Sequence, residues 1–75
     1  MNINKKISKQ EFLGKLKDLL SYTRLGSDIA ELALTHKYEI EYVQVTFTNG
    51  YTRDICIDGD SYAAIVKNVI MRLGM

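Results

Sequence analysis

The chain has 75 residues, a formal net charge of +1 and one cysteine. That length is one small domain, able to bury only ~60% of the surface its unfolded form exposes. The near-neutral charge gives no global field for nucleic acid or membrane, and a single cysteine excludes an internal disulfide and fits a reducing cytoplasm. No apolar run approaches the ~18 residues of a membrane span. "MNINKKISKQEF" has lysines but no apolar segment behind them, so it does not read as a secretory signal.

The first element is announced by "ISKQEF". Ser8 and Glu11 have the spacing of a capping box, and Ile7 and Phe12 that of a hydrophobic staple. Phe12, Leu13, Leu16, Leu19 and Leu20 then fall on one stripe. The spacing predicts a helix over residues 9–22. Gly14 inside it costs ~1 kcal/mol against alanine, either to admit a close neighbour or as slack.

"GSDIAELALTHKY" predicts a second, shorter helix. Asp28 and Glu31 repeat the capping-box spacing, and Ile29, Leu32 and Ala33 share a helical face. "HKYE" reads as a connection.

Alternation takes over in "EIEYVQVTFT" and "YTRDICID". These are strands of a hairpin around Asn49-Gly50, and the loop length decides which faces are paired. A loop of Asn49-Gly50 alone would set Val45 opposite Asp54 and Ile55 opposite Gln44, splitting the apolar set between the two sides of the sheet. A loop of Thr48-Asn49-Gly50, with glycine left-handed in a G1 bulge, sets Val45 opposite Arg53 and Val43 opposite Ile55. The second register keeps one face apolar, with the stem of Arg53 along it, and is the one expected.

The last element, "DGDSYAAIVKNVIMRLGM", is a helix with Asp60 as the expected N-cap and Ser61 its competitor. Tyr62, Ile65, Val66, Val69, Ile70 and Leu73 form its apolar stripe, Arg72 complements the dipole, and Gly74 ends it. The fold class is thus α+β: one domain over residues 1–75, in the order α-α-β-β-α, with an antiparallel hairpin packed by one face on helices. The hairpin's two edges lack lysine and proline. A third strand from "MNIN", or a second copy, would cover one.

Little of the sequence carries chemistry. His36 and Cys56 are single, lie on different elements, and have nothing to orient them, so no enzyme is expected. Asp54, Asp58 and Asp60 sit close in sequence but lack the further ligands of a calcium loop and read as strand-end and capping carboxylates. No metal or cofactor is expected. The unexplained surface is the outer face of the hairpin, with Tyr42, Gln44, Thr46, Thr52, Asp54 and Cys56. Tyrosine offers apolar area with a polar tip, as interfaces use it, and Tyr22, Tyr38 and Tyr42 have no obvious place in the core.

The stretch "YVQVTFTNGYTRDICIDGDSYAAIVKNVIMRL", with "NGY" between strands and "DS" opening a helix, resembles small uncharacterised proteins of phages and mobile elements of Gram-positive bacteria. Such proteins include many that bind and block a host protein, anti-CRISPR proteins among them. The resemblance implies a binding module and no particular site residue. The expectation is therefore a cytoplasmic, non-enzymatic protein-binding module using Tyr42, Gln44, Thr46, Thr52 and Asp54. Its partner is a host protein or a second copy of the chain as a homodimer. The alternative is a nucleic-acid accessory protein using Lys5, Lys6 and Lys9 of the lysine-rich N-terminal half.

Overall fold

The computed structural model describes residues 7–74. Helix α1 (Lys9–Leu20) leads through a short 3-10 turn (Gly26–Asp28) into strands β1 (Ile29–Lys37), β2 (Ile40–Phe47) and β3 (Thr52–Cys56), and helix α2 (Tyr62–Leu73) closes the chain. The sheet is antiparallel in the order β1-β2-β3, and both helices lie on one side of it, α1 against β1 and α2 against β3.

The α+β class and the hairpin packed on helices by one face are as the sequence predicts. The second helix is not: residues 29–37 form β1, and only the 3-10 turn remains of it. The order is α-β-β-β-α. The third strand therefore comes from this segment. "MNIN" lies outside the described residues.

Each helix starts where a hydroxyl can satisfy an orphan backbone donor. Ser8 Oγ accepts from Glu11 N–H at 3.1 Å, and α1 stops at Leu20, two residues short of the predicted end, with Ser21 as its C-cap. In α2 the N-cap is Ser61, whose Oγ accepts from Ala64 N–H at 3.2 Å. Asp60, the expected cap, instead accepts from Asn68 Nδ2 at 2.7 Å. Gly74 ends α2 in the left-handed conformation. Gly14 meets nothing within 4 Å of where a Cβ would stand, so it is slack rather than a close approach.

The hairpin takes the register that keeps its apolar residues together. Val43 faces Ile55 and Val45 faces Arg53. Gly50 N–H donates to Phe47 O at 2.9 Å and Phe47 N–H to Tyr51 O at 2.8 Å, while Gly50 sits at φ 89°. These bonds close the three-residue loop with glycine in its bulge. The other hairpin turns differently. Lys37 pairs with Ile40, so Tyr38-Glu39 is the whole loop, and both residues have positive φ, 52° and 67°.

Beside β2, β1 carries Leu32 opposite Val45 and Leu34 opposite Val43, on the helix side. A bulge at Ala30 separates the pairs Ile29–Phe47 and Glu31–Thr46, so Ile29 also turns inward and is buried. The core is the layer between this face and the helices, filled by Leu13, Leu16 and Leu20 of α1 and by Ile65 and Val69 of α2. Tyr62 stacks on Phe12 at 4.6 Å between ring centroids, and its hydroxyl donates to Ile7 O at 2.7 Å. That bond ties the approach to α1 onto the start of α2.

Candidate interaction surface

Among the described residues, no element covers the side of the sheet away from the helices. Alternation places Glu31, Ala33, Thr35 and Lys37 of β1 there, beside Ile40, Tyr42, Gln44 and Thr46 of β2 and Thr52, Asp54 and Cys56 of β3. The cross-strand pairs make three rows: Glu31–Thr46–Thr52, Ala33–Gln44–Asp54 and Thr35–Tyr42–Cys56. The residues singled out from sequence, Tyr42, Gln44, Thr46, Thr52 and Asp54, are thus brought together on one face. β1 adds the residues that sequence reasoning missed, above all Lys37.

Lys37 lies across the face rather than away from it. Its ammonium stands 5.7 Å from the centre of the Tyr42 ring and makes an ion pair with Asp54 two strands away. The hydrogen bond to Asp54, and then the carboxylate's charge, hold the Lys37 pKa above the ordinary lysine value. Tyr42 is half-buried on the central strand, whereas Tyr38 at the turn is 98% exposed and Tyr22 beyond α1 is 89% exposed. The rest of the face mixes hydroxyls, the Gln44 amide and the Cys56 thiol with the Glu31 carboxylate and the small apolar area of Ala33 and Ile40. It is neither an apolar patch nor the charged surface of an ordinary solvated sheet.

The other candidates are separated or already engaged. His36 pairs with Glu41 on the helix side of the sheet, Nε2 to Oε2 at 3.4 Å. Cys56 points to the opposite side and is exposed, so thiol and imidazole do not meet. Lys9 makes an ion pair with Glu41. That hydrogen bond raises the Lys9 pKa and, as the largest influence, lowers that of Glu41. Lys9 is therefore not a free cation, and Lys5 and Lys6 lie outside the described residues. Asp58 accepts from Glu41 N–H at 3.3 Å and Asp60 from Asn68, while Asp54 holds Lys37. Among the described residues no three His, Cys, Asp or Glu side chains are placed to hold a metal ion, and no helix is long and apolar enough to cross a membrane.

At the hairpin end of the helix side, Asp28, Phe47, Thr48, Asn49, Tyr51 and Arg53 line an open groove. It is held by Thr48 N–H donating to Asp28 O at 2.8 Å. Compared with known proteins, the chain matches no family model, no curated protein and no solved structure.

Proposed function

We propose that the protein is a small non-enzymatic binding module that acts by occupying the surface of a partner protein. The carrying observation is the bare sheet face around Tyr42. The buried apolar residues lie on the other side, between sheet and helices, so the packing of the described residues leaves this face unused. Its chemistry suits a protein surface: an aromatic ring on the central strand, flanked by Gln44, Thr46 and Thr52, with one internally neutralised charge pair. An accessory protein of a phage or mobile element, acting on a host protein in the cytoplasm, is the setting this reading favours. Anti-CRISPR-like inhibition is one form of it.

The test is quantitative capture of a partner from host lysate by wild type and by Tyr42→Ala with Gln44→Ala. Both positions are on the helix-free face, so the variant should melt close to wild type but lose the partner. Undiminished capture by a folded double variant would sink the proposal. The nucleic-acid alternative is weakened by the Lys9–Glu41 pair, and it is separated by salt, since a phosphate-bound complex loosens steeply as salt rises.

A further inference from the structure

The two edges of the sheet are not equivalent. Along β1 the backbone groups of residues 32 and 34 point away from β2, and the Gln10 side chain of α1 meets them. Leu34 N–H donates to Gln10 Oε1 at 2.8 Å, and Gln10 Nε2 donates to Leu32 O at 3.4 Å. One primary amide thus takes the place of a neighbouring strand. Along β3, residues 51, 53, 55 and 57 turn their backbone groups to β2: Phe47 N–H bonds to Tyr51 O and Ile57 N–H to Glu41 O. The alternation leaves N–H and C=O of Thr52, Asp54 and Cys56 pointing outward. Among the described residues no group of the chain bonds to them.

We propose that two copies of the chain pair antiparallel through β3, joining their sheets across a two-fold axis at Asp54. This goes beyond the binding reading above and does not depend on it. Backbone direction allows only registers that set the outward-facing residues 52, 54 and 56 against one another. Among these, only one uses all of β3. It sets Thr52 opposite Cys56 of the second copy, Arg53 opposite Ile55, and Asp54 opposite Asp54. A slip of two residues either way leaves an outward-facing residue unpaired within the strand.

The centred register brings two carboxylates face to face, which alone would repel. Each Asp54 already carries its own Lys37, so the centre holds two cations and two anions and is neutral. The surface is self-complementary, as a two-fold interface must be. A domain this small gains from the association what its core lacks. Strand β3 has no lysine or proline, and among the described residues no side chain bonds to its outward backbone groups to keep another strand away.

Thr52→Cys with the native Cys56 retained tests both the contact and its register. Across a hydrogen-bonded antiparallel pair the Cα atoms are ~5.5 Å apart, within the ~4.4–6.8 Å a disulfide spans. Within one strand the same two positions are ~13 Å apart, so a bond between them can only join two chains. Under mild oxidation this variant should become a covalent dimer, while wild type and Thr52→Cys with Cys56→Ser should not. Sedimentation across a concentration series should show a reversible wild-type dimer. Asp54→Lys, which gathers like charges at the axis, should leave the fold intact by circular dichroism and shift the protein to monomer. A wild-type monomer at every concentration, a folded Thr52→Cys variant that does not cross-link, or a dimer indifferent to Asp54→Lys would each overturn the proposal. None of these results bears on capture through Tyr42 and Gln44, so the two readings fail separately.

Discussion

Gly26 is the position where a single methyl group should do the most damage. It is buried at the start of the 3-10 turn. A Cβ there would stand 1.7 Å from Leu20 O and 2.6 Å from Thr23 Oγ1. Neither atom is free to retreat. Leu20 O accepts from Thr23 N–H at 2.8 Å and from Thr23 Oγ1 at 2.6 Å, and Thr23 Oγ1 in turn accepts from Gly26 N–H at 2.9 Å. Overpacking of this kind costs ~1–3 kcal/mol, and each hydrogen bond lost in making room adds ~0.5–1.5 kcal/mol. Gly26→Ala should therefore cost ~2–4 kcal/mol, a large share of the ~4–11 kcal/mol expected for a domain of this size. At ~4–8 °C per kcal/mol, its melting temperature should fall by ~10 °C or more. Gly14→Ala supplies the opposite sign: it is exposed in α1 with nothing near its missing Cβ, so it should gain up to ~1 kcal/mol of helix stability. Thermal melts of both variants, followed by circular dichroism, decide the matter. A Gly26→Ala variant that melts with wild type would mean that the chain does not fold tightly around this residue, and the reasoning would fail.

Gln10→Ala removes the amide that closes β1, so the Leu34 amide hydrogen should exchange faster, with a stability loss of ~0.5–1.5 kcal/mol; unchanged exchange at Leu34 would refute the clamp. Ser8→Ala should lower stability by ~0.5–2 kcal/mol through loss of the bond to Glu11 N–H, read as a shifted denaturation midpoint. The folded pKa of Glu41 lies below its ordinary 4.5, so its contribution is whole above that value and is lost as pH falls through the folded pKa. That of Lys9 lies above 10.5, so its share is whole below that value and is lost as pH rises through the folded pKa. Urea midpoints against pH should show a plateau between these limits, and Glu41→Gln should make the acid side shallower.

The hairpin register was legible because only one loop length keeps Val43, Val45, Phe47 and Ile55 on one side, and the loop it requires ends in glycine. The first strand was not legible, for reasons its own geometry supplies. The bulge at Ala30 sets the inward residues Ile29 and Leu32 three positions apart, which is the spacing of a helical face. The turn that follows uses Tyr38-Glu39 in place of the asparagine and glycine that mark a tight hairpin. The β1 part of the helix-free face went unseen with it: the Tyr42 side could be read from β2 and β3, but Lys37 belonged to a segment read as a connection. The Gln10 clamp has no signature in sequence at all, because it needs α1 and β1 in register.

The Tyr38-Glu39 turn also says something about what has shaped this chain. Two consecutive side-chain-bearing residues in the left-handed region forfeit ~1–2 kcal/mol each relative to residues suited to it. Asn-Gly in their place would fit the same backbone without that loss. Since proteins are kept only above the stability their work requires, the domain stands with a reserve it has not drawn on, and its apex is occupied by a fully solvated tyrosine. Selection for stability at this turn would remove that ring. Among homologous chains, a persistent aromatic at this apex would then mark selection for what the ring touches, and its replacement by Asn-Gly would mark selection for folding alone.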